Sequence, residues 1–183
     1  MPVAAVRETR KPTAEAPRAL TGRWVVDAQA SRVRFLAGTL AGLVHTAGRF
    51  HGLSGHLHVG ETRTAGALVI ESTSIDTGNR MRDRHLRSHD FFDVKRHPHL
   101  RYEVHSISDQ AQGLARIDGE LVVADTRTQL PLDVTLHAPG DGLVELACHA
   151  VVDRVALGIR GARGMVPRAV QLEVAITLRR ASA

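Results

Sequence analysis

From Leu100 to Leu178, apart from a Gly- and Arg-rich loop over Arg154–Arg168, the chain repeats one pattern, an apolar side chain followed by a polar one. Leu100, Tyr102 and Val104 alternate with Arg101, Glu103 and His105, and Leu130, Leu132, Val134 and Leu136 alternate with Pro131, Asp133, Thr135 and His137. Ala115 to Val123, Val144 to Ala150 and Val170 to Leu178 read the same way. Period two puts successive side chains on opposite faces of a strand, so each run is a half-buried strand. Pro139-Gly140-Asp141-Gly142 is hairpin-turn chemistry between two of them. Earlier, Trp24–Asp27, Val33-Arg34-Phe35, Gly48–Phe50, Leu53–Val59 and Ala67–Glu71 read as further strands, while Leu40–Val44 reads as a loop or a bent strand. About eight strands with one apolar face each predict an antiparallel sheet closed on itself, because closure removes exposed edges. An eight-stranded barrel is either filled by its own side chains or holds one small ligand, and alternation does not separate the two.

The pattern also breaks between Ser72 and Pro98. Asp76-Thr77-Gly78-Asn79 is turn chemistry. Asn79 is a candidate N-cap for a short helix over Arg80–Arg87, and Ser88 starts a second turn that carries Phe91 and Phe92. Pro98 returns the chain to extended structure. A short helical insertion near residues 80–92 is therefore expected. A charged turn with a Phe pair suits a lid over an apolar interior as well as a cap on a closed core.

The residues of this stretch carry a resemblance. Ser74-Ile75-Asp76-Thr77, Asn79, Arg82-Asp83, His85-Leu86-Arg87-Ser88, Asp90-Phe91-Phe92-Asp93-Val94 and His97-Pro98 resemble the signature of the YceI-like family. Trp24-Val25-Val26-Asp27, Gly48-Arg49-Phe50, Gly119-Glu120-Leu121 and Thr126-Arg127 extend the resemblance over roughly Trp24 to Leu178. It implies an all-β, antiparallel, eight-stranded lipocalin-like barrel over residues 23–181; residues 1–22, rich in Ala, Pro, Thr and charge, read by composition as a flexible basic tail before it. The resemblance also implies an isoprenoid ligand, a polyprenyl chain or an isoprenoid quinone, held inside the barrel for transport, storage or protection. No reaction and no cofactor are implied; a homodimer is admitted. The candidate ligand contacts are then the inward residues Phe35, Phe50, Leu68, Ile70, Leu100, Tyr102, Val104, Leu132, Val134, Leu172, Val174 and Ile176, with Phe91 and Phe92 from the lid.

Composition bears on the rivals. The formal charge is +5, and residues 1–23 hold +3 of it. A basic tail on a near-neutral barrel argues against nucleic acid, which needs clustered charge and stacking aromatics. Tail-driven binding to an anionic surface or nucleic acid stays as one alternative. Cys148 is the one cysteine and lies in an apolar run, so the expectation is a buried, inert thiol and no internal disulfide. Met1–Leu20 carries charges throughout and no apolar core, so it does not read as a signal peptide, and a cytoplasmic location is expected. No run approaches membrane-spanning length, so no stable membrane insertion is expected. Eleven histidines raise a second alternative, a metal-dependent hydrolase using His45, His85 or His89. No HExxH or CxxC pattern supports it, and solvated histidines are the plainer reading.

Overall fold

The computed structural model describes residues 17–38, 45–161 and 166–182. Residues 1–16, and with them most of the expected tail, lie outside the described residues, as do Leu40–Val44 and the side chain of His45. The strand segments are β1 (Gly22–Val26), β2 (Arg32–Gly38), β3 (His45–Phe50), β4 (Leu53–Val59), β5 (Thr64–Glu71) and β6 (Ile75–Asp76). After the helix α1 (Arg80–Arg87) come β7 (His99–Ala111), β8 (Leu114–Val123), β9 (Thr126–Gln129), β10 (Leu132–Gly140), β11 (Leu143–Asp153) and β12 (Ala169–Arg180).

Pairing follows the order β1-β4-β5-β7-β8-β10-β11-β12, and β12 returns to β1 with Trp24 opposite Arg180. All these pairings are antiparallel, so the ring is a closed eight-stranded barrel. The remaining segments extend ring strands past a break. β2 runs along β12 beyond β1, β3 along β2 beyond β4, β6 along β3 beyond β5, and β9 along β8 ahead of β10.

Local chemistry sets each break. At residues 27–31 the Asp27 carboxylate accepts the amides of Gln29 and Ala30 and the guanidinium of Arg179, while Ser31 accepts the amide of Thr177. At residues 72–74 a short 3-10 turn intervenes, with the Ser72 hydroxyl donating to the carbonyl of His97. At 130–131 Pro131 cannot donate to a ladder, and the Tyr102 hydroxyl donates to the Leu130 carbonyl at 2.8 Å. The β10–β11 hairpin turns at Asp141-Gly142 with φ of 52° and 70°, the positive pair that a two-residue I′ turn needs.

One end of the barrel is plugged. A 3-10 turn over Arg18–Leu20 folds beneath it, Leu20 is 0% exposed, and the Trp24 indole N–H donates to the Leu20 carbonyl at 2.7 Å. The guanidinium of Arg180 lies 4.7 Å from the Trp24 ring centre on the other side. Val59, Ala115, Val144 and Leu178 are buried around this plug. Pro17 and Leu20, which precede the boundary expected after residue 22, are buried. The sequence reading passed over Leu20 because a single apolar residue in a polar run has no periodicity.

α1 crosses the opposite end. Asn79 caps it as expected, accepting the amides of Met81 and Arg82. The helix ends at Arg87 as expected, where Ser88 turns back to the carbonyl of His85. Phe91 and Phe92 sit in the turns that follow, tied to the carbonyls of Ser88 and Leu86. Arg82 and Asp83 both bond Thr77: Asp83 accepts its amide and hydroxyl, and Arg82 donates to its hydroxyl and carbonyl. Arg87 adds bonds to the carbonyls of Thr73 and Ile75. These contacts clamp the helix to the barrel rim.

Candidate ligand channel

Along β12 the inward side chains change character. Ile176 and Leu178, near the plug, are buried, but Val170, Leu172 and Val174 are only half-buried although they point into the barrel. Leu68, Val104, Leu121 and Leu132 are likewise half-buried. An inward apolar residue keeps accessible surface only when the space it faces is empty. The barrel is therefore not filled by its own side chains.

The space forms two chambers. The inner one, about 130 Å³, is lined by Leu68, Tyr102, Val104, Leu132, Val134, Val174 and Ile176, among others. The outer one, about 310 Å³, is lined by Phe35, Phe50, Leu100, Phe91 and Phe92 together with α1 and the 157–159 turn. Val33, Ile70, Leu121 and Leu172 line both, so the chambers meet at a waist of four aliphatic residues. All fourteen inward residues picked from the sequence lie on these walls. The combined space suits one small ligand, falling within the ~300–1,000 Å³ typical of such pockets.

The polar groups on the walls are few and unevenly spread. In the inner chamber the Tyr102 hydroxyl is tied to the carbonyl of Leu130, and burial pushes both the Tyr102 phenol and the Cys148 thiol up from their ordinary pKa values. A thiol so raised is a weak nucleophile, in line with the inert reading of Cys148. In the outer chamber the polar lining residues are Thr46, Arg82, His85 and Arg154. Arg154 is 5% exposed and donates to the carbonyls of Ile159, Gly161, Val166 and Pro167. Sequence reasoning missed this role, since nothing local marks one arginine of an Arg-rich loop as the buried one. Phe92 meets Phe50 edge-on at 6.1 Å, and Phe50 meets Phe35 at 5.9 Å, so the lid is anchored to the wall by a chain of rings. Phe91 packs on His85 at 5.0 Å and lies against Gly161, where a Cβ would fall 2.7 Å from its ring. The channel is apolar inside, polar at the mouth, and plugged at the far end.

The comparisons with known proteins agree with this geometry. A family model described as the YceI-like domain matches residues 24–178. The chain belongs to the YceI-like domain family. In structure, BcnA from Burkholderia cenocepacia superposes with a TM-score of 0.74 at 19% identity, over 83% of this chain and 98% of that one. A polyisoprenoid binding domain from Saccharophagus degradans, implicated in plant cell wall breakdown, superposes with a TM-score of 0.74 at 16% identity, over 86% and 98%. Such identities establish the shared barrel. A UPF0312 protein of Shewanella baltica is 27% identical over 104 residues, 55% of this chain and 53% of that protein. One of Vibrio parahaemolyticus is 25% identical over 97 residues, 51% of each. The chain spans about half the length of the curated relatives it matches.

The histidine alternative fares differently. His85 lies against Phe91, His89 sits 3.1 Å from Asp90, and both are largely exposed. Among the described residues they meet no third ligand; the group that could hold an ion is Glu103, His105 and Glu120, on the outer wall. Arg127 already bonds both glutamates of that group. Among the described residues, no helix is long and apolar enough to cross a membrane.

Proposed function

We propose that the channel carries one long isoprenoid lipid, a polyprenyl chain or an isoprenoid quinone, with its tail toward the plug and its polar end at the mouth. The observation that carries this is the row of inward aliphatic side chains that folding leaves half-buried around an empty space. Val170 to Leu178 spans eight residue steps, about 26 Å at ~3.3 Å per residue, or roughly 20 Å along the barrel axis once strand tilt is included. A chain threaded there gains roughly 0.8 kcal/mol for each buried CH₂. Such affinity is non-directional, so the site selects by girth and length. A structural relative whose description names polyisoprenoid binding supports the ligand class. The fourteen wall residues are then ligand contacts, and the protein acts in transport, storage or protection of the lipid without changing its bonds.

Native mass spectrometry of the protein purified from its own cells, followed by organic extraction, tests this. The expected result is a one-to-one mass increment whose extract is a prenyl lipid. An unliganded protein that also fails to take up added polyprenol or quinone would overturn the reading.

A further inference from the structure

We propose that the outer face of α1 and the turn after it dock the channel mouth on an anionic lipid bilayer. α1 divides cleanly at 100° per residue. Arg82, Asp83 and Arg87 bond the barrel, and Leu86 packs against its core. The opposite face holds Arg80, Met81, Arg84 and His85, all exposed. Met81 is 82% exposed, an unusual place for a large apolar side chain at the tip of a lid. Lys95 and Arg96 are exposed on the following turn, and Arg160 on the turn that packs beside Phe91.

Among the described residues, Arg23, Arg32 and Arg180 on the walls are exposed without a carboxylate within 4.0 Å, but most arginines there are paired. Arg34, Arg49, Arg101, Arg116 and Arg127 on the walls each lie within 4.0 Å of a carboxylate. Among the described residues Arg80, Arg84, Lys95, Arg96 and Arg160 have no such partner. The acids nearby are Asp76, taken by Arg49 and His51, Asp83, taken by Thr77, Asp90, shared by His85 and His89, Asp125 near His97, and Asp93. With Arg49, Arg82 and Arg87 counted beside the five unpaired cations, eight cations exceed these five acids. Unpaired cations on one face attract a surface of negative charge, and an exposed apolar side chain among them inserts at its boundary. The occupant follows from charge and position: these groups sit on the outer side of the elements whose Leu86, Phe91, Phe92 and Ile159 line the outer chamber, and a bilayer is where an isoprenoid chain resides. The inference thus rests on the carrier reading.

The test is co-sedimentation of the full chain with vesicles of phosphatidylcholine alone or mixed with phosphatidylglycerol. Binding is expected to the mixed vesicles only, and to be lost at ~1 M salt, where the Debye length falls to ~3 Å. The double variant Arg80→Glu/Arg84→Glu should weaken it on the order of tenfold or more, and Met81→Asp should weaken it too. Both should keep the wild-type melting temperature and uptake of polyprenol from detergent, as should Arg34→Glu on the wall, which should bind vesicles normally. Equal binding to neutral vesicles would overturn the proposal, as would full binding by the double variant. Loss on changing Arg7, Arg10 and Lys11 to Glu, with none on changing α1, would overturn it in favour of the tail. Vesicle binding without any lipid uptake would uphold the docking face and sink the carrier reading instead.

Discussion

Tyr102 shows how one residue serves the strand break beside it. Its ring fills the space left at Gly119, where a Cβ would fall 2.8 Å from the phenol, and its hydroxyl satisfies the carbonyl at the β9–β10 interruption. Tyr102→Phe leaves that carbonyl unpaired, and urea unfolding should show a loss of about 1–3 kcal/mol. Asp76 makes a prediction of another kind. The His51 ring first, then the Gly78 amide and the Arg49 guanidinium, hold its carboxyl down at about 2. A carboxylate lowered on folding adds stability above the unfolded pKa near 3.9, and that stability is lost as pH falls toward 2. Asp76→Asn should therefore melt below wild type at pH 6 and converge with it by pH 2; a gap that persists at pH 2 would mean the side chain acts through shape alone.

At the scale of elements, the lid and the plug make opposite demands. Phe92 faces Phe50 and Phe35, whereas Phe91 faces His85 and the 157–161 turn. Phe92→Ala should cost less than the ~3–5 kcal/mol of a fully buried Phe, about 2 kcal/mol, because one side of the ring faces the empty channel. Phe91→Ala should cost less again and release bound lipid faster; equal effects in both assays would contradict this division. Leu20→Ala at the plug should cost ~2–5 kcal/mol, since Leu20 is wholly buried. The sequence was informative about strands because period two is a property of each run by itself. It was informative about α1 because Asn79 caps whatever helix follows. The breaks at Asp27, Ser72 and Pro131 were not legible as continuations, because which neighbour a segment pairs with depends on partners far along the chain. The burial of Leu20 and the carbonyl cage of Arg154 are likewise tertiary. The inward residues of the channel were legible, but alternation is the same for a filled and a hollow barrel.

For the whole molecule the question is whether the hollow is a ligand channel or a loosely packed core. The waist decides, because Leu121 and Leu172 line both chambers and a chain threading the barrel must pass between them. A larger side chain there occupies space that is empty in the free protein, so it need not displace packed neighbours. The direct measurement is a titration of wild type and Leu172→Trp with a long-chain polyprenol, each monitored for melting temperature. The channel account predicts one site in the wild type, a loss of at least about tenfold in affinity in the variant, roughly the ~1.4 kcal/mol of two blocked methylenes or more, and a melting temperature equal to or above that of wild type. Unchanged affinity in a folded Leu172→Trp would contradict it, and so would a wild type that binds no prenyl chain.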